Sequence, residues 1–378
     1  MNAAQFSNLM GMDRLTSDIK RAGFQTSPDP VGDTSVCLAP ASPLDELLTA
    51  VRVYEGATDA TFASAAGFAA TYGSGYPANN LALAENNRLP DRIRLAGNYA
   101  TSERFKIGLV DQTGGRIGVE VDQLAVQRIF ADRGSNGGFC SFFPVNGVVR
   151  IQDQAGLTRF APITACNETV GTVNYTQLIV DVDPAAFVGG SCSEPSGGYL
   201  NPVSMVDYFL VQGADLGTYG FPAGVSAVGA EDSALNNITG ESSRMMLVRR
   251  QVDTTGATVS VPEVVADYVV DLNFRGRYAT EVPGGTPPIT LTDEPFESID
   301  NVSPNRLRTL GVRLTTRARN PDRADAPAAI PTSDLALTRF RVFDSSNAGY
   351  TTNKYQYARV RTLYADVTMP NMTNHTPW

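Results

Sequence analysis

The chain has 378 residues, 42% of them hydrophobic and 18% charged, enough for a folded body with a substantial core in one large or two ordinary domains. A formal net charge of -9 argues against non-specific nucleic-acid binding, which works by neutralising phosphates. A single histidine, His375, and four cysteines with no Cys-x-x-Cys pair argue against zinc sites and against Ser-His or Cys-His nucleophilic units.

The chain opens on a helix. In Gln5–Phe24, apolar residues at Phe6, Leu9, Met12, Leu15, Ile19 and Ala22 recur at steps of three and four and predict one apolar side. Asp13, Ser17, Asp18, Lys20 and Arg21 take the polar positions. Lys20 and Arg21 suit the negative end of the helix dipole, and Gly23 is a natural stop. A Pro- and Gly-containing loop follows, then a short helix expected from Pro43 or Leu44 within residues 43–54, and a small-residue loop over 56–80.

From Asp91 onward the pattern is that of strands. Ile93 and Leu95 alternate with Arg92 and Arg94. Phe105–Leu109 and Ile117–Val121 form a hairpin about Gln112–Gly115, and Val148–Gln152 and Leu157–Ile163 form another about Asp153–Gly156. Cys140 and Cys166 lie at matching distances from the second turn. That spacing favours Cys140–Cys166, leaving Cys37–Cys192, and the other two connectivities stay open. Further strands are expected at Gln177–Val182, Met205–Val211, Met245–Val252 with Ala257–Val261, Val270–Phe274, Leu310–Leu314, Leu337–Phe343 and Tyr355–Val367. A helical turn is expected at Pro262, and loops over 212–243 and 281–304. Arg313, Arg317 and Arg319 share one strand face opposite Val312 and Leu314, which reads as a solvent-facing side or a subunit contact.

Few residues nominate chemistry. No phosphate loop, dinucleotide fingerprint or His-Glu-x-x-His motif occurs, and no spacing singles out a pair of catalytic carboxylates. Asp181 and Asp183 sit on alternate positions at a strand end and are the candidates for a Ca²⁺ site. The competing reading is two solvated acids, because Ca²⁺ takes about six to eight oxygens. Asp293, Glu294, Glu297 and Asp300 form a similar acidic loop. Without a run of about 18 apolar residues, a membrane span or targeting segment is expected only outside this sequence.

Three stretches together resemble a family. The helix ends in SDIKRAGF. A strand MMLVRRQVD leads through a Thr-Thr-Gly turn to VPEVVADYVVDLNFRGRY. LRTLGVRLTTRAR is followed by YARVRTLYADVTMPNM. In order and spacing they resemble the large minor pilins of type IV pili (the PilW type) and the related large minor pseudopilins of type II secretion. The resemblance covers both ends of the chain well and residues 30–240 poorly. It implies an α+β, pilin-like fold: an N-terminal amphipathic helix packed on antiparallel sheet, with a large β-rich insertion. Residues 1–24 would be the head-proximal half of a helix whose upstream part spans the inner membrane. Residues 25–378 would be the head, with 56–240 the insertion and 244–378 the pilin-like core sheet.

The resemblance further implies a non-enzymatic subunit without cofactor, partnered by other minor pilins, the major pilin and a tip adhesin. It would act in the complex that initiates pilus assembly, with adhesion as a further role, at the bacterial surface and in the periplasm. Within the helix, Leu15–Ala22 would pack on the head. Phe6, Leu9 and Met12, with Met10 off the stripe, would meet other subunits. The alternatives are a pseudopilin and, from a different class, a secreted β-rich carbohydrate-binding protein or glycosidase, whose sign would be paired carboxylates in a deep pocket.

Overall fold

The computed structural model describes residues 3–55, 86–133, 138–171, 175–212, 221, 244–256, 258–281, 289–294, 296, 304–319, 331–332, 335–343 and 356–373. The expected loops at 56–80 and 212–243 fall almost wholly outside these, as do Glu297 and Asp300.

Helix α1 spans Ala3–Arg21. It ends where Gly23 adopts a φ of 75°, a conformation that costs a Cβ-bearing residue strain. The carbonyls of Lys20, in its last turn, and of Ala22, just beyond it, accept hydrogen bonds from the Asn371 side chain. Asn371 belongs to a one-turn helix, Pro370–Thr373, so the last described turn of the chain closes the C-terminal end of α1.

The strands, in chain order, are β1 (Val36–Leu38), β2 (Val51–Tyr54), β3 (Arg92–Gly97), β4 (Phe105–Asp111), β5 (Arg116–Val119), β6 (Val148–Gln152), β7 (Thr158–Val170), β8 (Tyr175–Val182), β9 (Tyr199–Gln212), β10 (Met245–Val252), β11 (Glu263–Asp267), β12 (Val269–Glu281), β13 (Ile289–Asp293), β14 (Leu307–Arg317), β15 (Arg339–Phe343) and β16 (Gln356–Thr368). Among the described residues they form two sheets. The first has 11 strands, β1 to β11, and the second is ordered β13-β12-β14-β16-β15. All pairings are antiparallel except β1 with β7. The architecture is thus a β-rich body with one long N-terminal helix. Both expected hairpins form, as β4/β5 and β6/β7.

Several expectations are corrected. The helix expected within 43–54 is a single turn, Leu44–Leu47, followed by β2. The segment after Pro262 is strand β11, whereas of the strand expected at Ala257–Val261 the described residues, 258–261, contribute a bridge between Val252 and Thr258. The loop 281–304 contains β13, whose mostly exposed side chains show no alternation. Helix α2, Leu124–Arg133, was not expected. It buries Ala125, Val126 and Ile129, a helical spacing present in the sequence. The sheet boundary does not fall at residue 244. Strands β10 and β11 belong with β9 in the first sheet, and the second begins at Val269.

Three apolar clusters result. The largest joins α1, one side of β2, β3, β9 and β10, and one side of the second sheet. The second fills the module of β4 to β8 with α2. The third lies on the opposite side of β9 and β10, against Leu47, Leu48, Val148, Phe160 and Phe221. Strand β9 is therefore buried on both faces. Val206, Tyr208 and Leu210 point to the first cluster, and Met205, Phe209 and Val211 to the third, so its sequence is a continuous apolar run rather than an alternation.

Of the three arginines expected to face solvent, Arg313 and Arg317 are buried and Arg319 is exposed. Arg313 donates to Asp271 on the neighbouring strand β12 at 2.8 Å, and Arg317 is as enclosed as Arg313. A second row crosses the first sheet, where Arg94 of β3 makes a two-pronged contact with Asp207 of β9 at 2.7 and 2.8 Å and Arg250 of β10 approaches the same carboxylate at 3.6 Å. The three residues are directly opposite one another in register. Burial opposes the Asp207 charge, but Arg94, Arg250 and Arg92 outweigh it and hold the carboxyl far below its usual range. The two aspartates therefore anchor polar rows inside the body, each on the side of its sheet away from the α1 cluster.

Candidate functional site

Helix α1 has two sharply different sides. Asn8, Gly11, Met12, Leu15, Asp18, Ile19 and Ala22 are buried, and at 3.6 residues per turn they lie on one face. Phe6, Leu9 and Met10 lie outside it, 59%, 49% and 53% exposed. Asp13, Ser17 and Lys20 continue the outer side downstream. The outer surface is thus apolar in the first turns of the helix and polar in the last.

The single stripe read from the sequence is corrected by this arrangement. Its lower members, Leu15, Ile19 and Ala22, pack in the chain's own core, and so does Met12 at 8% exposure. Met12 is therefore removed from the surface available to other subunits. Phe6 and Leu9 do not continue the buried line; Asn8 and Gly11 do. Asn8 donates its amide to the Arg361 carbonyl of β16 at 3.1 Å. Gly11 seats the helix backbone directly on the sheet, where an added Cβ would come within 2.7 Å of the Ala266 Cβ on β11. A polar residue and a glycine carry no hydrophobic signal, which is why periodicity pointed past them.

The strongest attachment is Asp18, expected on the polar face and found buried. Its carboxylate accepts from Arg249 Nε at 2.6 Å and from the Tyr208 hydroxyl at 2.8 Å, and its carbonyl accepts from the Tyr99 hydroxyl at 2.9 Å. Tyr208 and Arg249 face each other across β9 and β10, so one helix residue grips a cross-strand pair. Burial and the Asp18 charge push both Tyr208 and Tyr99 well above the ordinary phenol pKa. Burial alone would lower Arg249, but Asp18 overrides it and raises its pKa. At its foot, α1 is held by Arg21, which donates to the Asn98 carbonyl at 2.8 Å and lies over the Tyr99 ring.

The remaining candidates are placed as follows. Asp181 accepts from Arg116 at 3.1 Å and from Asn167 at 3.2 Å. Asp183 accepts from the Ala185 amide at 2.9 Å, capping a short 3₁₀ turn, Pro184–Phe187. Each acid is committed to a different partner. Among the described residues no three His, Cys, Asp or Glu side chains gather in a metal-binding group. The cysteines form Cys37–Cys192 and Cys140–Cys166. Among the described residues no helix is long and apolar enough to cross a membrane.

Neither family models nor curated proteins match this sequence. Among solved structures, a type IV-like pilin from Thermus thermophilus aligns with 61% of this chain and 90% of its own at 13% identity. The TM-score is 0.19, too low for the superposition to define a shared fold.

Proposed function

We propose that this chain is a non-enzymatic structural subunit of a type IV pilus, a large minor pilin that takes part in the complex priming assembly. The observation that carries the proposal is the divided surface of α1. One face is anchored in the chain's own sheets through Gly11, Leu15, Asp18 and Ile19, while Phe6, Leu9 and Met10 present apolar area outward. A side chain of this size that becomes buried contributes about 1.5–3 kcal/mol, so three together make a useful contact with neighbouring helices. The motif resemblance at both ends of the sequence supports the same reading. The partners would be other minor pilins and the major pilin, and the site of action the inner membrane, the periplasm and the cell-surface filament.

Deletion of the gene is expected to reduce surface pili and twitching, and restoration with the Phe6→Ser, Leu9→Ser, Met10→Ser chain is expected to fail although that protein keeps its melting temperature. Normal piliation and twitching in the deletion strain would overturn the proposal. Loss of protein secretion with intact pili would assign the chain to the pseudopilin role instead.

A further inference from the structure

A second surface lies in the module built on β4 to β8, whose apolar cluster is separate from that of α1. It is an open cavity of about 540 Å³ lined by Lys106, Gln152, Asp153, Gln154, Gly156, Gly197 and Tyr199. Its platform is a row across three strands. In the ladder, Tyr199 of β9 stands opposite Lys106 of β4 on one side and opposite Gln152 of β6 on the other. In-register residues project from the same side of a sheet, so the tyrosine ring is flanked by an ammonium and an amide.

The row is pre-set by its own bonds. Gln152 donates to the Gly156 carbonyl at 3.1 Å, and Gln154 to the Ser196 carbonyl at 2.9 Å, which fixes both amide planes and leaves their oxygens as oriented acceptors. Lys106 is paired with Glu120 at 2.8 Å, which cancels its charge but leaves ammonium protons to donate. Tyr199 is 42% exposed, and its hydroxyl has no hydrogen-bond partner among the described residues. Gly197 has a φ of 77°, a conformation that strains a Cβ-bearing residue, and a Cβ there would displace the Gln154 amide from its place.

We infer that this cavity binds a neutral saccharide. A partly exposed tyrosine beside fixed amide acceptors and a charge-compensated lysine suits a pyranose, which offers an apolar ring face and a rim of hydroxyls. Lipids and apolar cofactors need walls that are mainly hydrophobic, which this cavity lacks. Phosphate and anionic sugars need uncompensated positive charge, and the one cation here is paired with Glu120. The inference does not rest on the assembly role of α1.

The test is titration of the full chain with neutral gluco-, manno-, galacto- and N-acetylglucosamine oligosaccharides, followed by calorimetry and NMR. At least one series is expected to bind. Tyr199→Ala should weaken binding by about tenfold or more, the scale of losing an aromatic stacking platform. Tyr199→Phe should retain most of the affinity, Gln154→Ala should weaken it less than Tyr199→Ala, and the Phe6, Leu9, Met10 serine variant should bind like the unaltered chain. No binding by any neutral series, binding indifferent to Tyr199→Ala in a protein of unchanged melting temperature, or binding confined to anionic sugars and abolished by salt would each overturn the inference. The intact triple-serine affinity separates failure here from failure of the pilus reading.

Discussion

The α1 core and the β4–β8 module are both β-rich, yet they are held by different chemistry. Around α1 there is no disulfide. The helix is fixed by apolar packing and by Asp18, and the sheets behind it carry the Asp207 and Asp271 rows. The module instead carries both covalent bridges. Cys166 lies within β7, and Cys37 lies on β1, which pairs with β7. One region depends on protonation state and the other on redox state, so the two can be disturbed separately.

The largest effect is expected at Asp207. Replacement by Ala removes the acid shared by Arg94 and Arg250 and leaves buried positive charge less compensated, a change worth about 3–5 kcal/mol in denaturant unfolding. The pH dependence has a definite sign. Because the folded-state pKa of Asp207 is lowered, its contribution is complete above the unfolded value of about 3.9 and is lost as pH falls towards the folded value. The unaltered protein should therefore lose stability in acid, and Asp207→Asn should flatten part of that slope. An unchanged acid limb would deny the row its role.

Next come the bridges. Replacing Cys37 and Cys192 by Ser should cost about 2–4 kcal/mol, and the Cys140–Cys166 pair roughly 1.5 kcal/mol less, since its closed loop spans 26 residues against 155. Hydrogen exchange should show the loss in β1 and β6–β8 and leave the amides of α1 protected. Loss of protection in α1 instead would mean that the regions are not independent.

Asp18→Asn comes third, at about 1.5–3 kcal/mol, with faster exchange along α1. The same anchor predicts alkaline sensitivity. The fold holds Tyr208 protonated, so stability is complete below the unfolded phenol value of about 10 and falls as pH rises beyond it. The smallest effect is expected at Arg277 and Asp293, a solvent-exposed pair joining β12 to β13. Double replacement by Ala should leave the melting temperature unchanged within error.

Much of the strand placement was legible because apolar and polar residues alternate, as in the half-buried Phe105–Leu109 and in Val270–Phe274, which is covered on both sides. What stayed hidden is the second covering of the sheets. Alternation locates a polar face but does not say whether water or another layer lies against it, so Arg313 and Asp18 looked like solvent-facing residues. A signal did exist: Asp207 sits inside MVDYFLV and Asp271 inside VVDLNF, single acids in strongly apolar runs, where strand propensity disfavours Asp unless a buried partner compensates. For the candidate surface, Phe6, Leu9 and Met10 were readable as apolar. Their separation from Met12 was not, because it depends on Gly11, whose missing side chain decides how the helix is turned.

The grip of Asp18 on Tyr208 and Arg249 also defines a mechanical path. Tension applied to the first turns of α1 would load the bond from Asn8 to β16 first, then the carboxylate that bridges β9 and β10, and only afterwards the foot of the helix at Arg21. Those strands are flanked by β3 and β11, so the load would spread across four hydrogen-bonded strands instead of peeling one edge. A charged residue near the base of the helix thus decides which strands share the load once the upper contacts have given way.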